Sequence, residues 1–370
     1  MNKTMKKIID TFATESPEKK AFIDEMVHGT FVKEGRMVAF PTCFPGASVP
    51  IVHDESRITA LDITCDHILY GGTSGKRAYV FLAMFWGVTG AMFDMGVFEG
   101  KENCSAICCG EEQLIACLNG PDGGSLYACD LVPLPFDLIQ EWGFRRKPFV
   151  ELPPIGHREN ILHAVTSRDR TKIVGISENH LFTVDFESLT PCIVSDIPGK
   201  GRISCGPNGE IFGLDDGDTL WIFNPNDRSL KRKAIQLPQG NWDGSYVRWA
   251  FDPQGNRLYI ADADGKVFAI ASDGRLSDLL CKTPFFPVGT MSVTFDGRLF
   301  GICGEGIGRL FCYRPRHGTV SDLGVPVSVL QSRRYGYVFG DSLTGRDGEI
   351  VFGENDNSGH VWMYFPKIEA

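Results

Sequence analysis

The sequence predicts an all-β chain closed into a ring of seven four-stranded antiparallel units. Three observations carry that prediction. A tight turn followed by an aromatic strand recurs seven times, with glycine in six of the turns. The aromatic positions are Phe81, Tyr127, Phe182, Trp221, Phe268, Phe311 and Trp362. They lie 39 to 55 residues apart, about 47 on average, the length of one four-stranded repeat. The last unit has no fourth strand before Ala370, and "GRMVAFP" (35–41) is a strand-like segment able to supply it.

In chain order, "PEKKAFIDEMVH" (17–28) has the pattern of a short helix, so residues 1–34 are expected to form a helical extension. Residues 35–370 are expected to form a single domain, with 35–41 closing the ring because an unpaired edge is a liability. Each unit then begins with a strand such as "ITALDI" or "YVRWAF". A tight polar turn follows, such as "PNG" (207–209), "PQGN" (253–256), "FDGR" (295–298) or "GRDG" (345–348). The second strands are "HILYGG", "QLIACLNG", "KIVGIS", "EIFGLD", "RLYIAD", "RLFGICG" and "EIVFGE". A loop leads to the aromatic strand, and a fourth strand usually trails it. "VFLAMFWGVTGAMFDMGVF" (80–98) is nearly long enough to span a bilayer. Asp94 inside it and the Gly87–Gly90 break favour two buried strands. "GENDNSG" (353–359) reads as a hairpin loop. "DADGK" (262–266) reads as a turn, because it lacks the later carboxylate of a calcium loop.

With these units the chain resembles seven-bladed β-propellers as a class over roughly residues 35–366. It has neither the "GH…WD" signature of WD40 repeats nor the paired glycines of kelch repeats. "GNRLYIADADGKVFAI" (255–270) resembles a strand pair of the lactonase-type propellers. The resemblance implies a rigid ring with binding chemistry on the loops of one face, and fold alone names no activity.

Composition narrows the partners. The chain is 43% hydrophobic and 22% charged, enough apolar residue for a full core. Its net charge of −9 argues against nucleic acid and anionic membrane as partners. The N-terminus carries lysines without an apolar stretch behind them, so a cytoplasmic location is expected. Twelve cysteines without a CxxC pair suit neither a disulfide framework nor a zinc site. No motif implies a cofactor: nucleophile elbow, phosphate loop and HExxH are all missing.

The unit register puts the loops between second and third strands on one face, together with the loops between units. There the sequence offers His157, Tyr335 and His53 for proton transfer. It offers Arg333, Arg334, Arg158, Arg57, Trp242 and Tyr246 for substrate binding. Arginine forks suit carboxylates and aromatic planes suit sugar rings, while histidine and tyrosine suit acid and base roles. The expected ligand is a small polar or anionic sugar. The expected function is a carbohydrate-active enzyme on an oligosaccharide, a uronic-acid lyase or a glycosidase. Two other readings stand beside it. One is a non-catalytic propeller binding a protein partner. The other is a metal-dependent lactonase-like hydrolase using Glu305, Glu354, Asp215 and Asp262. His163 alternates with apolar neighbours and reads as a core or channel histidine. His67 and His317 fall on the other face.

All twelve cysteines are expected to titrate as free thiols after denaturation without reductant. Two or more stable disulfides would overturn the reduced-compartment reading.

Overall fold

The computed structural model describes residues 32–41, 51–86, 89–131, 148–328, 335–357 and 359–367. Seven antiparallel sheets of four strands make up the fold. The blades begin with inner strands Arg57–Ile63, Asn103–Cys109, Ile161–Thr166, Ser204–Cys205, Arg248–Asp252, Val288–Val293 and Phe339–Thr344. Each inner strand contacts the inner strands of both neighbouring blades around the full circle. They therefore surround an axis, and the later strands of each blade lie progressively outward.

All seven aromatic markers fall on third strands. Four of the rings also face a glycine across the register. Gly71, Gly175, Gly213 and Gly301 of the second strands lie directly opposite Phe81, Phe182, Trp221 and Phe311. A Cβ at any of the four would collide with the facing ring. Each ring lies over bare backbone and is buried to 1% exposure or less.

Ring closure follows the sequence expectation. Gly35–Pro41 pairs antiparallel with the third strand of blade seven, His360–Pro366, with Ala39 opposite Trp362. Met37, Val38 and Ala39 are buried by this pairing. Blade seven is also stitched to blade one. Ser56 Oγ accepts from the Gly359 amide at 3.1 Å and donates to the Asn357 carbonyl at 3.0 Å.

The helix expected at 17–28 lies outside the described residues. Among the described residues there are only two short 3-10 turns, His53–Glu55 and Pro207–Gly209, and no α-helix. No helix among them is long and apolar enough to cross a membrane. The apolar stretch at 80–98 forms two paired strands, Ala78–Trp86 and Thr89–Phe98. "DADGK" is a turn: Asp262 Oδ1 accepts from the Asp264 and Lys266 amides at 3.0 and 2.8 Å. Eleven cysteines are described and all are free thiols. Burial holds Cys108, Cys109 and Cys117 protonated well above the ordinary thiol value.

Burying Met37 and Val38 contributes on the order of 1.5–3 kcal/mol each, a large part of a typical total of about 5–15 kcal/mol. A chain lacking residues 1–41 is expected to aggregate or lose cooperative melting. Met37→Ala is the milder test and should cost about 2–5 kcal/mol. Wild-type melting of the truncated chain would refute the closure.

Candidate functional site

The inner strands line an axial channel of about 460 Å³. Its polar side chains form two levels, because inner-strand residues near the inter-blade loops sit high and those near the tight turns sit low. At the upper level Arg202, just before the inner strand of blade four, reaches across the channel to blade seven. Its Nη1 donates to Asp341 Oδ1 at 2.9 Å and its Nη2 to the Gly340 carbonyl at 2.6 Å. Asp341 Oδ2 accepts the Leu61 amide of blade one at 2.9 Å. Trp249 Nε1 donates to the Arg202 carbonyl at 2.9 Å and fixes the chain there. Arg248, the first residue of blade five, donates from Nε to the Gly289 carbonyl at 2.6 Å. Its Nη1 donates to the Ser245 and Val247 carbonyls, both at 2.9 Å.

At the lower level Asp62 accepts the Cys109 amide of blade two at 2.7 Å and the Thr166 hydroxyl of blade three at 3.2 Å. Arg170, in the tight turn of blade three, donates to the carbonyls of Cys109 at 3.0 Å and Ile63 at 2.8 Å. It ties three blades together beneath the channel.

The lining holds four arginines (Arg168, Arg170, Arg202 and Arg248) against two aspartates (Asp62 and Asp341), a net of +2 in a chain of net charge −9. The excess positive charge marks the titrating groups. Burial, with the charges of Arg202 and Arg248, pushes His163 well below the usual histidine value, so its ring is neutral. Its Nδ1 accepts from the Ile203 amide at 3.4 Å, which leaves the proton on Nε2. Burial, then the charge of Arg202, lowers Arg248 to about 9 despite Asp341 and Tyr246. The carboxylate beside these cations is taken up by Arg202 and two backbone amides. Among the described residues Arg248 Nη2 has no hydrogen-bond partner. Asp62 is raised by burial, against the opposing charge of Arg170.

Of the residues singled out from the sequence, Tyr246 lies nearest in sequence to a channel arginine. It is exposed and lies two residues before Arg248. His53 and His157 are exposed on loops of the upper face. Arg57 is exposed and its Nε donates to the Ser74 carbonyl at 3.3 Å. Arg158 adopts a left-handed backbone and is held by Glu151 at 2.8 Å and Ser125 at 3.0 Å, over the outer strands of blade two. Trp242 is buried. Its indole N–H donates to the Pro238 carbonyl at 2.8 Å and its ring packs 5.7 Å from Phe268, so it is a packing residue. Tyr335 is exposed and bridges Val327 by backbone. Arg333 and Arg334 lie outside the described residues. His163 lines the channel, in accord with its alternating pattern.

The reading missed Arg202, Arg248, Asp341, Asp62 and Arg170. For Arg248, Asp341 and Asp62 the signal was charge within a first strand, as in "YVRWAF", where alternation should place an apolar residue or a channel group; Arg202 and Arg170 lie outside those strands.

The four carboxylates considered for a metal do not converge. Asp215 pairs with Arg232. Asp262 organises its own turn. Glu354 bonds His360 Nδ1 at 2.9 Å. Glu305 is exposed on a loop of blade six. Among the described residues no group of three or more histidine, cysteine, aspartate or glutamate side chains is placed to hold a metal ion.

No protein-family profile and no curated protein matches the chain. Solved structures of similar fold do. A streptogramin B lyase aligns with a TM-score of 0.63 at 11% identity, over 89% of this chain and 97% of that one. A catalytically inactive histidine-to-alanine variant of virginiamycin B lyase from Staphylococcus aureus, solved with quinupristin, aligns at 0.62 and 7% identity, over 90% and 99%. The selenomethionine form of the same enzyme aligns at 0.62 and 6%, again over 90% and 99%. At these identities the likeness is one of fold.

The Asp215–Arg232 pair gives a pH test of its structural role. The bond from Arg232 holds Asp215 at about 2, against an ordinary 3.8. Its stabilisation is present above 3.8 and is lost as pH falls through about 2. Arg232 is partly exposed, so roughly 1–2 kcal/mol is at stake. Asp215→Asn should lower stability at neutral pH and flatten its decline between pH 4 and 2. An unchanged acid profile would show that the pair contributes nothing.

Proposed function

We propose that the axial channel is the substrate site of a lyase-type enzyme acting on a carboxylated small ligand, a uronic-acid-bearing oligosaccharide being the class that fits best. The observation that carries this is the uncompensated positive charge at the upper level. Arg248 sits beside Arg202 in a partly enclosed channel, with the Asp341 carboxylate already engaged and its own Nη2 unoccupied. A ligand carboxylate there forms charge-assisted bonds and relieves the repulsion between the two guanidiniums. The lyase activity of structural neighbours supports elimination over hydrolysis.

In that reaction the proton on the carbon next to the carboxylate leaves for a base. The electron pair forms a C=C bond, the C–O bond one carbon further breaks, and the departing oxygen takes up a proton. Negative charge gathers on the carboxylate as the first proton leaves, and Arg202 and Arg248 are placed to stabilise it. His163 presents an N–H to the channel, so it donates a hydrogen bond and does not act as base. Tyr246, next to Arg248, is the proposed base, and His157, His53 and Tyr335 are the rim groups proposed to serve the leaving oxygen.

Arg248→Ala should weaken binding of digalacturonate by ten- to a hundredfold, the equivalent of about 1.5–3 kcal/mol for a charge-assisted bond. Arg248→Lys should recover part of it. Formation of the unsaturated product is followed by its ultraviolet absorbance, with Tyr246→Phe expected to lower kcat more than KM. Unchanged affinity in correctly folded Arg248→Ala would reject the channel as a carboxylate site.

A further inference from the structure

Phe285, Phe286, Ile307 and Tyr337 each keep between 43% and 54% of their surface in solvent. They come from three loops, and all three belong to the upper face. Phe285 and Phe286 lie between blades five and six, Ile307 lies between the second and third strands of blade six, and Tyr337 leads into blade seven. The loops touch. The Gly308 amide donates to the Tyr337 carbonyl at 2.7 Å, and a Cβ at Gly304 would lie 3.5 Å from Phe285 Cβ. Two rings carry cations against them: Arg309 Cζ lies 5.2 Å from the Phe285 centroid, and Lys282 Nζ lies 5.0 Å from that of Phe286. Arg309 is itself anchored on Asp322, so Phe285 rests on a fixed support. Exposed apolar groups gathered in this way mark a binding surface.

The patch runs into the channel. Arg248 Nε donates to the Gly289 carbonyl, three residues after Phe286 on the same segment of chain. A channel of about 460 Å³ lies within the ordinary range for a small-molecule site, so a longer ligand anchored on Arg248 must leave over the rim. On the blade five to seven side it meets aromatic faces with Lys282 among them.

The geometry points to a platform on blades five to seven that binds the outer units of an anionic saccharide chain whose inner carboxylate occupies the channel. The inference rests on the carboxylate reading of the channel. Sugar rings present C–H faces that pack on aromatic planes, and a carboxylate on each unit matches the cation at Phe286. A protein partner would meet the same rings with no reason to extend from the charged channel.

The test measures affinity for digalacturonate and for a tetragalacturonate, with wild type, Phe286→Ala, Phe285→Ala and Arg248→Ala. All platform side chains are exposed, so their variants should fold. Wild type is expected to bind the tetramer at least tenfold tighter than the dimer. Phe286→Ala should remove about tenfold of the tetramer affinity and leave the dimer unchanged, while Arg248→Ala weakens both. If the dimer binds through Arg248 but chain length adds nothing, the platform falls alone, and the patch is then open to a protein. Equal losses for dimer and tetramer in Phe286→Ala would also overturn it. If wild type binds neither probe, the channel reading falls and takes the platform with it.

Discussion

The structure depends on the contact between an aromatic ring on a third strand and bare backbone on the second. In four blades the second-strand residue facing that ring is glycine, and no other side chain would fit. In those four blades the contact brings the second and third strands together beneath a buried ring. The inner strands then meet only at the axis, and the channel is what remains between them. Blade two uses Ala116 opposite Tyr127, blade five Ile260 opposite Phe268 and blade seven Phe352 opposite Trp362, so the rule tolerates a side chain where the local packing makes room.

The rings themselves made the fold legible. Large aromatics at a regular spacing after tight turns are rare by chance, and each turned out to mark one third strand. Closure by residues 35–41 was legible because a strand without a partner is costly and the last blade was one strand short. The site was much less legible. Trp242 reads as a stacking plane in a polar loop, yet the chain folds its ring into the core and satisfies its N–H at Pro238. Arg158 reads as a fork aimed at ligand, yet Glu151 holds it over blade two. Sequence places a residue on a loop of a given face. It does not say whether a side chain turns inward, outward or down, since that is decided by contacts made with other blades.

The arginines that do line the channel were hidden for a related reason. A strand facing an axis has the alternation of any half-buried strand, and a charged residue within it resembles an outward-facing one. Only the ring shows that Arg248 and Asp341 share the inside. Arg202 is harder still, because its partner lies 139 positions away on the blade across the channel. That cross-channel pair constrains more than charge. It holds blades four and seven at a fixed distance at the upper level, while Arg170 and Asp62 tie blades one, two and three at the lower. The channel is braced at two heights by polar bonds in place of an apolar plug.

Bracing with ions rather than hydrocarbon carries an energetic consequence. Buried ion pairs stabilise little compared with packed apolar groups, so a ring seeking only stability would fill its axis with leucine and valine. This one keeps four arginines there with two aspartates to match them. Asp341 is bonded to Arg202, and carbonyls satisfy part of Arg248, while among the described residues no carboxylate hydrogen-bonds the second guanidinium. Burial, and after it the charge of Arg202, lowers Arg248 to about 9. On the proposed carboxylate reading, an anion entering at this level would offset that charge, and part of the cost of keeping the arginines desolvated would return as affinity. Selectivity would then come from ligands able to set one carboxylate deep in the channel while the rest of the molecule finds contacts on the rim.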